Sequence, residues 1–379
     1  MTAQRNKTGA VLAQAGDRFM RSKEISYKIL RKEKREEHTM TQKRRTFVGT
    51  LVCGIAAAAA LGWGGTAMAQ ETKELRVAKQ FGISYLPITV MQERKLIEKH
   101  VKAAGLGDIK VEWSRLSAGA PMNEALISGN LDFAAGGVGP LVTIWARTKG
   151  NMNVKGVSSI NSMPLYLNTI NPDVKSIKDL TDKDKIALPA VKVSIQAVTL
   201  QMGAEKLLGK YDALDRLTVS MSHPDGMNAM MSGRSEITAH FSSAPFQYQQ
   251  LEDPRVRRIL SSYEVLGGPA TFNTIWTTSQ FREKNPKTYK AFLAALEESM
   301  TIINGNKKDV AALWIKAENS KLSQEFVEKI LNDPENVFTT TPQNVMKYAE
   351  FMHKVGSIKE MPASWKDLFF PEIHDKQGS

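Results

Sequence analysis

A chain of 379 residues with 42% hydrophobic and 24% charged side chains can bury two or three cores. Its formal net charge of +12 suggests a nucleic-acid binder until the charge is located. Residues 1–69 hold 13 Lys/Arg and 5 Asp/Glu, a net of +8, so residues 70–379 carry only +4 with no long basic run, and nucleic acid is not the expected partner.

The basic leader has its own explanation. From Met40 the chain reads MTQKRRTFVGTLVCGIAAAAALGWGGTAMAQ: a positive start, an Ala/Gly-rich apolar middle and an A-x-A ending at Ala67-Met68-Ala69. This is the pattern of an export signal over 40–69, cleaved after Ala69. The uncharged stretch from Thr46 to Gln70 is long enough to be a membrane anchor, but its Ala and Gly content makes a poor one. Arg44, Arg45 and Phe47 resemble a twin-arginine signal, although Lys43 stands where Ser or Thr is usual. A start at Met40 is expected, leaving 1–39 an upstream extension without structure; a cytoplasmic tail is the other reading. Cys53, the one cysteine, lies inside the signal behind Val52, so the exported chain would have no thiol, no disulfide and no Cys-ligated metal.

Glu74 to Ala78 alternates as a strand, and Pro87 to His100 has helical spacing. A strand at Lys110–Leu116 leads through Ser-Ala-Gly to a helix opening near Pro121 and stopping at Ser128-Gly129. Leu131–Gly137 is a buried strand running into a helix from about Pro140. Leu165–Leu167 reads as a strand crossing to a second lobe; Ile186–Leu188 is a strand, followed by a helix capped by Ser194. Thr274–Thr278 is the expected return crossing. Amphipathic helices are expected at Pro286–Asn304, Lys308–Glu318, Gln324–Asn332 and Pro342–Val355. The alternation of strands and helices predicts an α/β chain with largely parallel sheets.

The pattern also repeats. Ser128–Ala135 precedes Ser232–Ala239 by 104 positions, each copy a helix ending at Ser-Gly, an acid, then a strand opening into small and polar residues. Two similar lobes follow: 74–163 and 164–272, with 273–360 returning to the first lobe and supplying helices, and 361–379 as a tail.

The signal, the two lobes, the G-x-L-D-F strand at Gly129–Phe133 and the helical tail resemble the nitrate/taurine/sulfonate class of periplasmic substrate-binding proteins, the soluble receptors of ABC importers. The likeness covers nearly all of 74–360. It implies a two-lobed periplasmic-binding-protein-like fold of type II, with two crossover strands and a helical C-terminal part, closing on a small ligand. In such sheets ligands lie beyond the carboxyl ends of the strands, near helix N-termini. The expected cleft edges are therefore Ser84 and Tyr85; Ser117, Ala118 and Gly119; Gly137 and Val138 within Gly136–Gly139; Ser194, Ile195 and Gln196; and His240, Phe241 and Ser242. His240 has two readings, a satisfied structural histidine or a ligand contact, and its place in the repeat favours contact. His223 is a weaker candidate, and Tyr85, Phe241 and Trp276 could wall an organic body.

No phosphate loop is completed after Gly136–Gly139, since neither Gly-Lys-Ser/Thr nor G-x-G-x-x-G follows. Enzymes on this fold that use cysteine find none in the exported chain. G-x-S-x-G is absent and the six histidines lack metal-ligand spacing, so neither catalysis nor a cofactor is expected. The cleft segments are rich in Ser, Gly, Gln and His and hold no Lys or Arg beyond Lys192. That composition favours a small organic anion, sulfonate- or carboxylate-like, over a bare inorganic ion. The expected partners are an ABC permease and ATPase, with the protein a periplasmic monomer; a sensor presenting its closed form to a membrane receptor is the alternative.

Overall fold

The computed structural model describes residues 70–379; the expected export signal and the expected upstream extension lie outside the described residues. Ten strands form two five-stranded sheets. They are β1 (Glu74–Lys79), β2 (Lys110–Arg115), β3 (Phe133–Gly137), β4 (Lys155–Ser159), β5 (Tyr166–Thr169), β6 (Lys185–Leu188), β7 (Thr218–Ser220), β8 (Ile237–Ser242), β9 (Arg257–Ser261) and β10 (Asn273–Thr277). The orders are β2-β1-β3-β10-β4 and β7-β6-β8-β5-β9. In each sheet the first three strands are parallel and the fourth runs against both its neighbours. The chain passes from β4 to β5 and returns from β9 to β10, so each antiparallel strand is the one entering from the other lobe.

The internal repeat is visible here. β3 and β8 hold the central place of their sheets, and the helix before each ends at a glycine in left-handed conformation, Gly129 (φ 73°) and Gly233 (φ 61°). Between the lobes the two passages pair with each other at Ser162 and Thr271.

The helices in chain order are α1 (Leu86–Glu93), α2 (Leu96–Ala103), α3 (Gly119–Ile127), α4 (Val138–Thr148), α5 (Ile195–Leu208), α6 (His223–Ser232), α7 (Phe246–Leu251), α8 (Ser262–Leu266), α9 (Ser279–Lys284), α10 (Pro286–Gly305), α11 (Lys307–Ala317), α12 (Gln324–Asn332), α13 (Val345–Lys354) and α14 (Trp365–Leu368). The single helix expected over Pro87–His100 is two, because Lys95 takes a left-handed φ of 51° that an α-helix cannot continue through. The helix expected from Pro140 starts two residues earlier, at Val138, leaving Pro140 in the first turn where its missing N–H costs nothing. β4, β7 and β9 carry no clear sequence signal and were not expected. The predicted C-terminal helices all form, each within a few residues of its expected bounds.

Phe133 stacks on Phe292 of α10 with ring centroids 3.9 Å apart, fixing the returning helices to the first sheet. The final residues are part of this lobe. Phe369 bridges to Gly156 of β4, the Phe370 N–H donates to the Gly156 carbonyl, and Leu368, Phe369 and Phe370 are buried. Among the described residues no helix is long and apolar enough to cross a membrane.

Candidate functional site

The lobes meet at several places, and expected cleft edges lie at two of them. At the first, the turn after β1 meets the loop after β8: the Ile83 N–H donates to the Ala244 carbonyl at 3.1 Å. Gly82 makes this approach with φ 118°, and a Cβ there would stand 2.8 Å from the same carbonyl, so only glycine fits. The Ser84 and Ser243 hydroxyls, from opposite lobes, flank that Cβ position at 3.6 and 3.7 Å. Both are buried, and neither finds a partner among the described residues.

The second contact joins the glycine loop to the start of α5. Ile195 packs where a Gly137 side chain would be, and the backbone of Val193 and Ile195 lies against Gly139. Ser194 caps α5, its Oγ accepting from the Ala197 N–H at 3.2 Å. The expectation that Gly136–Gly139 offers free N–H groups needs correction at one of them: Val138 N–H donates to the Phe272 carbonyl. That bond extends the β3–β10 ladder past the sheet end.

Behind both contacts a polar cluster holds the passages together. Asn161 Nδ2 donates to the Ser84 carbonyl at 2.6 Å, its Oδ1 accepts from the Asn273 N–H, and the Tyr85 hydroxyl donates to Asn273 Oδ1 at 3.1 Å. Tyr85 is therefore tied to the returning strand, and burial pushes its phenol pKa up. Asn273 Nδ2 has no partner among the described residues.

A cavity of about 400 Å³ opens beside the first contact and spans the lobes. Phe81, Gly82, Arg115 and Trp314 line it from one side, Pro224, Phe246 and Gln249 from the other, and Glu318 and Lys321 stand at its edge. The Arg115 guanidinium lies 5.1 Å from the Phe81 ring centroid and bonds Glu318. Glu318 is also held by Lys79 at 2.6 Å, so the group Lys79, Arg115, Glu318 and Lys321 keeps an excess of positive charge. Desolvation lowers the Lys79 pKa, against the raising influence of Glu318. Arg115 and Lys321 lie outside the segments chosen from the sequence and add cationic groups to this cavity. A smaller cavity of about 170 Å³ lies beside the second contact, between Asn123, Thr143, Arg147 and Val193.

The remaining expected residues divide. Ser117 is exposed; Ala118 and Gly119 are buried where α3 packs on Pro140. Phe241 is fully buried core, and Trp276 is buried within the first lobe against Gly136. His240 is corrected to the structural reading, for both ring nitrogens are engaged inside the second lobe, by Gln250 at 2.7 Å and by His223 at 3.1 Å. Ser242 is likewise turned inward, 3.4 Å from Gln250 Oε1. Gln196 is buried and contacts His223 at 3.3 Å. Burial pushes the His223 pKa down to about 3 and that of His240 well below its ordinary value, so both rings are neutral. Sequence reasoning missed Ser243, Arg115, Phe246 and Trp314. Only Ser243 had a signal, standing one residue beyond a chosen segment.

No curated protein matches the chain in sequence. The structure is similar to the alkanesulfonate-binding protein of Xanthomonas axonopodis pv. citri, solved bound to MOPS (TM-score 0.61, 17% identity, covering 79% of this chain and 96% of that one). It is also similar to the periplasmic aliphatic sulphonate-binding protein of Escherichia coli (0.58, 18%, 79% and 92%). The periplasmic nitrate-binding protein of Synechocystis PCC 6803 is similar too (0.57, 15%, 79% and 85%). These likenesses place the chain in the periplasmic binding protein fold. Residues 68–317, most of the chain, match the model of the NMT1-like family, and the chain belongs to that family.

Proposed function

We propose that this protein is an extracytoplasmic solute-binding protein that captures a small organic anion between its lobes and delivers it to the permease and ATPase of an ABC importer. It would act in the periplasm as a monomer, exported through the signal at 40–69, with lobes bounded at 74–163 and 164–272 and completed by 273–360. The carrying observation is the pair of buried hydroxyls Ser84 and Ser243, one from each lobe, without partners among the described residues and flanking a direct contact between lobes. A buried polar group without a partner costs about 1–3 kcal/mol. A ligand accepting from both hydroxyls removes both costs only while the lobes are together, which couples binding to closure. Phe81, Phe246 and Trp314 suit an apolar body, and Arg115 and Lys321 suit an anionic head. The alkanesulfonate- and aliphatic-sulphonate-binding relatives support the same class.

The test is a thermal-shift screen of the purified protein against sulfonates, carboxylates, nitrate and pyrimidines. A true ligand at a hundred times its Kd stabilises the folded state by about 2.7 kcal/mol. Ser84→Ala and Ser243→Ala should each reduce that shift. A panel without any stabilising member, or shifts indifferent to both substitutions, would overturn the reading.

A further inference from the structure

A buried chain of polar side chains runs through the second lobe to the lobe-facing end of α5, and it has a direction. It starts at Asn168, whose Nδ2 donates to the Gln247 carbonyl at 3.0 Å. A backbone carbonyl only accepts, so the orientation of the Asn168 amide is fixed. The same Nδ2 donates to Gln250 Oε1 at 3.0 Å, which turns Gln250 Nε2 toward His240 Nδ1 at 2.7 Å. His240 Nδ1 must then be bare, and its proton sits on Nε2. That Nε2–H faces His223 Nδ1 at 3.1 Å, so His223 Nδ1 is bare as well and its proton also sits on Nε2. All five side chains are more than nine-tenths buried, so water does not interrupt the sequence of bonds.

The chain ends at Gln196, whose Nε2 is placed 3.3 Å from His223 Nε2, so the bonding pattern calls for the amide to be turned over. An amide nitrogen turned toward His223 would set donor against donor. The oxygen and nitrogen ends of an amide have nearly the same shape, and the bonding pattern must choose between them. Resting on the interlobe reading above, we infer that Gln250, His240 and His223 act as positioning residues that hold Gln196 Oε1 inward. The Gln196 NH2 is thereby presented at the lobe-facing end of α5, as a fixed donor for an acceptor group of the ligand. The Gln196 side chain makes no other hydrogen bond among the described residues, and the residue directly follows Ile195, which packs on Gly137 of the other lobe. The site thus selects acceptors, such as sulfonate or carboxylate oxygens, over donors such as ammonium groups.

Imidazole tautomers test this without any ligand. Long-range proton–nitrogen NMR of the 15N-histidine-labelled full chain should show both His223 and His240 as neutral Nε2–H tautomers, unchanged from pH 8 to pH 5. Either ring found as Nδ1–H, or titrating near 6.5, overturns the inference. Gln250→Glu, nearly isosteric, replaces the donor to His240 with an acceptor. It should convert both rings to Nδ1–H, or charge His240, with circular dichroism unchanged; unaltered tautomers in a folded variant overturn the inference too. Should Gln250→Glu not fold, the wild-type spectrum alone decides. Expected tautomers together with a silent thermal-shift panel would sustain the relay while removing the solute-binding reading.

Discussion

The Glu318 carboxylate accepts from two cations that are not equivalent. Lys79 reaches it from β1 with a side chain only 7% exposed, whereas Arg115 reaches it from β2 at 35%. Lys79 has few other ways to satisfy its charge, its remaining neighbour being the Thr89 hydroxyl. Breaking a buried pair from one side costs about 3–5 kcal/mol, because the surviving charge is left without compensation, while a half-exposed pair contributes about 1 kcal/mol or less. Glu318→Gln should therefore lower unfolding stability in urea by about 3–5 kcal/mol, and Arg115→Gln by no more than about 1 kcal/mol. Equal losses for the two variants would show that Lys79 does not depend on Glu318. Arg115 can consequently exchange Glu318 for a ligand anion at small cost, while Lys79 keeps the carboxylate neutralised.

At the scale of elements, β8, α6 and α7 jointly bury two neutral histidines, and that has a pH signature. The His223 pKa is pushed down to about 3 and His240 well below 6.5 by the loss of water around them. Between those limits the unfolded chain binds protons at both rings and the folded chain does not. Stability is then complete above about pH 6.5 and falls as the pH drops below it, by on the order of 1.4 kcal/mol per pH unit for each histidine. Urea titrations at pH 7 and 5.5 should show this decline, with His223→Gln reducing the slope by about half; a flat profile would contradict burial of the pair. The same elements show what sequence could and could not reveal. Ser194, Ser222 and Gly233 announce the ends of their helices because capping is local chemistry, and all three serve as caps. The inward turn of His240 was hidden, since residues 239 to 242 are buried on both faces of β8 and alternation carries no signal there. Arg115 and Glu318 meet across 203 positions, and no local pattern marks such a pair. Loops at the strand ends were legible from topology alone; the side chains that converge on them from distant elements were not.

For the molecule as a whole, the lobes approach through atoms that tolerate little addition. Gly137 has an ordinary extended backbone that any residue can adopt, so its requirement is spatial. A Cβ there would lie 2.6 Å from Ile195 Cγ2 and 2.8 Å from Ile195 Cβ on the other lobe, and no closer than 3.6 Å to the Phe272 carbonyl of the returning passage. Gly137→Ala should thus leave each lobe's core intact and oppose only their contact. The expected result is a melting temperature within a few degrees of wild type, a slightly larger radius of gyration by solution X-ray scattering, and roughly tenfold weaker affinity, about 1.4 kcal/mol, for whichever panel compound stabilises the wild type. Ile195 Cβ also stands only 2.8 Å from the added carbon, so alanine would not clear it; Ile195→Gly removes both atoms, and Gly137→Ala combined with Ile195→Gly should recover affinity lost in the first single variant. Residues in contact couple, whereas independent ones add. If the double variant is as weak as the sum of the singles, the Gly137–Ile195 contact is not what closure depends on. Recovery would mean that this one small-to-large contact sets how near the lobes come, and with it whether Ser84, Ser243 and Gln196 reach the same ligand.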